Sequence, residues 1–147
     1  MISQLMRDAG RRPDLFHFRG PVPVEQLDQW LRGRRLTIPE DLRELWCQTG
    51  GGDLFESETI LDPFASDELG DDVDSRNLLH RQQGMSANFL IFHVGACGLS
   101  VVDMAAQSYA TLNEKTHEVR RTFASVAEWY LACLHREYSG TYRLDPP

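Results

Sequence analysis

His93 and Cys97 stand four residues apart, with Asp103 six positions further on. A cysteine acts as a nucleophile when a base lies within hydrogen-bond reach and a third group orients that base. His93, Cys97 and Asp103 could fill those roles in a small thiol hydrolase. Two short strands joined by a glycine turn bring such residues together without any chemistry. The reading kept here is therefore a core cysteine beside a partly buried histidine, with no catalytic residue and no enzyme. His17, His80, His117 and His135 are scattered and follow no metal-binding spacing. The clusters Gly50-Gly51-Gly52 and Gly95-Ala96-Cys97-Gly98 lack both phosphate-cradling patterns, and Lys115 is the single lysine. No metal or cofactor is expected.

The charge is concentrated in one place. Nine acids lie between Asp53 and Asp74 with no Lys or Arg among them, whereas the remaining residues hold 13 acids against 15 bases. The net charge of −7 thus arises from this stretch. Clustered charge of one sign steers a partner of the opposite sign and speeds encounter. Asp62, Asp67, Glu68, Asp71, Asp72 and Asp74 are accordingly the candidate partner-binding residues, and the partner they suit is a basic protein. The competing reading is a solvated loop that keeps the chain in solution. Asp67, Asp71 and Asp72 do not follow the alternating ligand pattern of a calcium loop. Arginines gather near the N-terminus, at Arg7, Arg11, Arg12, Arg19, Arg32, Arg34, Arg35 and Arg43. An acidic chain gains little from phosphate attraction, so direct nucleic-acid binding is not expected.

Helices and strands must position these groups. Val24, Leu27, Trp30 and Leu31 repeat at helical spacing, with Gly33 as a stop. A second helix is expected over 37–49, opened by a Thr37/Glu40 capping box with Pro39 in its first turn and closed by the three glycines. Short strands are expected at 53–55 and 58–61, and a helix carrying Leu78 and Leu79 at 73–83. Residues 89–94 are nearly all apolar, as a strand covered on both faces would be. Strands follow at 99–104 and 109–112, then a turn at 113–116 and a strand from His117. Ser125 and Glu128 form another capping box before a last helix striped by Val126, Ala127, Tyr130, Leu131 and Leu134. Trp30 and Trp46 are assigned to the core, and Trp129 to the flank of that stripe as a partly exposed anchor.

This pattern predicts an α+β fold, mainly an antiparallel sheet covered by N-terminal and C-terminal helices. Residues 1–23 read as an N-terminal extension and 24–147 as a single domain. No apolar run approaches the ~18 residues of a membrane span, and Met1-Ile2-Ser3-Gln4 does not open a signal peptide. Cys47, Cys97 and Cys133 form no disulfide framework and read as core thiols in a reducing compartment, so a cytoplasmic location without membrane contact is expected. Exposed strand edges would permit a homodimer.

The run Ile38-Pro39-Glu40-Asp41, its short amphipathic helix, the stop at Thr49-Gly50-Gly51-Gly52 and the strand-like residues beyond resemble the N-terminal signature of the SUKH superfamily. Many relatives carry Asn-Gly-Gly at that stop. The likeness extends over 24–137 through the strand at 89–94, the glycine turn at Gly95 and Gly98, and the helix after Phe123. That superfamily comprises the fungal Smi/Knr-type cell-wall regulators, the Syd proteins and many bacterial immunity proteins. The resemblance implies a SUKH-like domain that binds protein: an immunity protein neutralising a cognate, basic bacterial toxin by direct contact, or alternatively a regulatory module with another partner.

Overall fold

Seven strands form one antiparallel sheet: β1 (Phe16–Phe18), β2 (Gly52–Leu54), β3 (Glu58–Ile60), β4 (Phe89–Gly95), β5 (Gly98–Asp103), β6 (Ser108–Leu112) and β7 (Val119–Phe123). They lie side by side in chain order, with β1 and β7 at the two edges. The computed structural model describes residues 2–65 and 70–147. Helices α1 (Ser3–Arg11), α2 (Val24–Arg34) and α3 (Glu40–Thr49) flank β1, and α4 (Val73–Gln82) is inserted between β3 and β4. The C-terminal helix begins as α5 (Val126–Tyr130), widens into a π-turn (Leu131–His135) and ends as α6 (Arg136–Tyr142). The expected α+β class, with an antiparallel sheet and helices from both ends of the chain, is the observed one.

Residues 2–23, read from sequence as an extension, share the core. β1 pairs with β2, and Leu5, Leu15 and Phe16 are buried. Buried Asp8 of α1 accepts hydrogen bonds from the Tyr130 hydroxyl at 2.7 Å and the Gln4 amide at 2.9 Å, and its Oδ2 lies 2.7 Å from His135 Nδ1. A buried carboxylate needs such partners to offset its lost hydration. They fasten the first helix to the last. β1 itself was not foreseen: three residues of Phe-His-Phe are too few to show a period.

Helix α3 starts at Glu40 with Pro39 as its N-cap residue, and no side chain caps it, so the expected Thr37/Glu40 capping box does not form. Asp41 serves instead. Its Oδ1 accepts the Leu42 N–H at 3.0 Å and the Tyr109 hydroxyl, and its Oδ2 accepts the Val126 N–H at 2.7 Å. One carboxylate therefore joins the start of α3 to β6 and the start of α5. The other end behaves as expected: Gly50 takes φ +70°, the left-handed conformation that ends helices cheaply in glycine.

The second capping box does form, Ser125 Oγ accepting the Glu128 N–H at 3.1 Å and Glu128 Oε2 the Ala124 N–H at 2.9 Å. The helix it opens buries Val126, Trp129, Tyr130, Cys133 and Leu134. The face turned to the sheet is thus centred on Trp129, which is fully buried, and Ala127 and Leu131 fall to its side. The expected exposed anchor at Trp129 is overturned, because a wide apolar stripe is compatible with more than one helical phase. On β4, Leu90, Ile91, Phe92 and His93 are buried in succession, as a doubly covered strand requires. Its register with β5 shifts between Ile91 and His93, a bulge that re-aims the side chains on either side. Asn77 of α4 completes the irregular edge, accepting the Ile91 N–H at 2.7 Å and donating to the Ile91 carbonyl at 3.1 Å.

Candidate functional site

The structure builds one polar cluster inside this apolar frame. Alternation along β3 turns Glu58 and Ile60 inward and Thr59 outward, so an acid enters the core. Glu58 Oε1 lies 2.8 Å from His93 Nε2, and its Oε2 accepts the Ala96 N–H at 2.9 Å and the Tyr138 hydroxyl at 2.7 Å. Gly95 is what allows this fit, since a Cβ there would overlap the Glu58 carboxylate. On the far side of the ring, His93 Nδ1 lies 2.8 Å from Ser100 Oγ, which also takes the Trp129 indole N–H at 2.8 Å. Cys97 Sγ is 3.7 Å from the same Ser100 oxygen. Tyr138 is held by stacking on Phe55 at 4.7 Å between centroids. Phe55 occupies φ +51° in the β2–β3 turn, a conformation bulky residues rarely adopt.

Donors and acceptors balance with a protonated His93, and also with a neutral ring whose Nδ1 accepts from Ser100. The indole N–H of Trp129 can only donate. With His93 protonated, its two N–H groups serve Glu58 and Ser100. Ser100 Oγ then accepts from both Trp129 and His93, and its own hydrogen is left for Cys97. The result is a chain of alternating charge: carboxylate, imidazolium, hydroxyl, thiolate. Burial opposes charge on His93, but hydrogen bonds with Cys97 and Glu58 raise its pKa overall. Burial likewise opposes charge on Glu58, and the bonds from His93 and Ala96 outweigh it and lower its pKa. The neighbouring Cys133 thiol, against burial and with further help from His93 and Ser100, pulls the Cys97 thiol down to about 4. The same contact, together with burial, pushes Cys133 up.

Cys97 and Cys133 open onto a cleft of about 440 Å³ walled by Thr111, Arg120, Arg121 and Glu137. Cys97 is therefore a half-buried cleft residue and not the core thiol expected from sequence. Asp103 does not orient His93; its Oδ1 accepts the N–H groups of Ala105 and Ala106 in the following turn. Glu58 holds that position. The sequence reading assigned none of Glu58, Ser100, Cys133 and Trp129 to this cluster. The one available signal was an acid at an inward position of a short strand. Among the described residues, no three His, Cys, Asp or Glu side chains are placed to hold a metal ion.

The acidic segment is distributed differently from the expectation of one exposed patch. Asp62 is buried, where it pairs with Arg19 at 2.7 Å and accepts the Phe64 N–H at 2.7 Å. Asp72 is also buried and caps α4, accepting the Ser75 N–H at 2.8 Å. Asp74 is exposed and takes a two-pronged bond from Arg34, at 2.8 and 2.6 Å. Asp71 is half-buried and, with Asp53, Asp62, His17 and Arg19, lines a cleft of about 250 Å³. Asp67 and Glu68 lie outside the described residues. Beyond this segment, α4 packs inward through Val73, Asn77 and His80 and turns Leu78 and Leu79 to solvent, 58% and 46% exposed. Among the described residues no helix is long and apolar enough to cross a membrane.

No family model matches the chain, and no curated protein matches it.

Proposed function

We propose that this chain is a non-enzymatic protein-binding domain of SUKH type, an immunity protein that neutralises a cognate toxin by direct contact. The observation that carries the binding reading is α4: two adjacent leucines face solvent on a helix whose first turn ends a run of nine acids without a base. Exposed leucines in an acidic chain suit a protein partner, the leucines providing desolvated contact and the acids long-range steering. Asp53, Glu56 and Asp71, which form no ion pair among the described residues, are the acids the structure leaves for that role, with Asp67 and Glu68 beside them in sequence. The SUKH resemblance supplies the partner class, and the charge supplies its sign.

Association of the purified chain with a basic partner retained from its native lysate, followed at rising salt, tests this reading. Reversing Asp53 and Asp71 to Lys should slow association about tenfold at low salt and change dissociation little, because steering acts on encounter. Unchanged association with those reversals, or a partner with no activity that the chain inhibits, would overturn it.

A further inference from the structure

We propose that Cys97 is a peroxide-reactive thiolate and that Cys133, across the same cleft, resolves its oxidised form as an intramolecular disulfide. Three independent features converge on this. The hydrogen-bond chain from Glu58 through His93 and Ser100 places a ring paired with a carboxylate, and a hydroxyl, behind the Cys97 sulfur. Cys97 is half-buried and lines a cleft, which gives a small oxidant a route to its sulfur. A second thiol, Cys133, lines the same cleft. Cys133 sits in the π-turn, an interruption of helical geometry that recurs at functional sites. Facing the pair are His93 of β4, Ser100 of β5, Arg120 and Arg121 of β7 and Glu137 of α6, with Glu58 of β3 behind His93.

The chemistry balances with a peroxide as the one external reactant. The Cys97 thiolate attacks a peroxide oxygen; the S–O bond forms, the O–O bond breaks, and the departing alkoxide or hydroxide takes up a proton. The product at Cys97 is a sulfenic acid. Cys133 then attacks that sulfur; the S–S bond forms, the S–O bond breaks, and hydroxide leaves with the Cys133 proton as water. Two thiols lose two electrons in total, and one peroxide is reduced to an alcohol, or water, plus water.

Cys47 is the built-in reference. It is half-buried on α3, and burial raises its thiol pKa. The full chain is treated with hydrogen peroxide at mildly acidic pH, the remaining thiols are alkylated, and each cysteine is read by peptide mass. The expected results are oxidation of Cys97 at least about tenfold faster than Cys47, and a Cys97–Cys133 bridged peptide lighter by two hydrogens. In Cys133→Ser the reaction should stop at a sulfenic acid that dimedone traps at position 97. Equal rates at Cys97 and Cys47, bridging through Cys47, or no dimedone adduct in folded Cys133→Ser would overturn the proposal. The rate comparison uses the unaltered chain, so it holds even if a variant fails to fold.

Discussion

Glu58 and Asp74 are both carboxylates from the same acidic stretch, yet the molecule uses them in opposite ways. Glu58 is withdrawn into the core near the middle of the sheet, and every one of its bonds is to protein. Asp74 stands at the surface with Arg34, where water can replace its partner. The first builds a fixed electrostatic environment around a thiol; the second decorates a face with leucines. A charge run in sequence is thus a mixture of roles, and strand alternation and helix capping decide which residue takes which. The two cleft thiols lie in the β4–β5 turn and the last helix, and the acids left for a partner lie on β2, in the β2–β3 turn and before α4.

The sharpest break in that contrast is Glu58→Ala. It leaves a buried imidazolium without its counter-charge and orphans the Ala96 N–H and the Tyr138 hydroxyl, so unfolding in urea should show a loss of about 3–5 kcal/mol. Asp53→Lys, at the exposed end of the same segment, should stay within about 0.5 kcal/mol. Similar losses for the two would erase the distinction.

A pH series sharpens it. Between 4.5 and 6.5, the ordinary values of Glu58 and His93, the acid is ionised and the ring protonated whether the chain is folded or not. Cys97 differs, being a thiolate when folded and a thiol when unfolded, because its pKa falls from 9.0 to about 4. The unfolded chain then binds the extra proton, so stability should rise with pH across this window in the unaltered chain relative to Cys97→Ser. Above 6.5 the unfolded His93 sheds a proton that the folded ring keeps, and the rise should flatten. Below 4.5 the unfolded Glu58 takes up a proton that the folded carboxylate refuses, which steepens the loss. Parallel urea midpoints for the two proteins from 4.5 to 6.5 would contradict the charge chain.

Smaller effects test the acidic side. Asp72→Ala removes the cap of α4 and should cost about 0.5–2 kcal/mol, seen in thermal or urea unfolding. Asp74→Ala breaks an exposed pair and should cost no more than about 1 kcal/mol, shrinking further in high salt.

The fold was largely legible because its elements carry strong local signals. Gly50 ends α3, Ser125 and Glu128 open α5, and the apolar run in β4 marks a strand covered twice. What stayed hidden depends on contacts distant in sequence. Asp41 replaces the expected cap because Tyr109 and Val126 reach it from β6 and α5. Glu58 meets His93 only after β3 pairs with β4, a register no local pattern specifies. The phase of the last helix follows from the cavity that Trp129 fills, and composition alone allowed Ala127 to point inward instead. The candidate acids shared one stretch, but their separate fates were set by tertiary partners.

The measurement that bears most directly on the function is a side-by-side capture of partners from native lysate on three baits. These are the unaltered chain, Leu78→Asp/Leu79→Asp on α4, and Val119→Asp on the exposed β7 edge. A basic protein retained by the unaltered chain and by Val119→Asp, and lost from the α4 variant, is the outcome the docking face predicts. Retention by the α4 variant with loss from Val119→Asp would move the contact off the two leucines and contradict it.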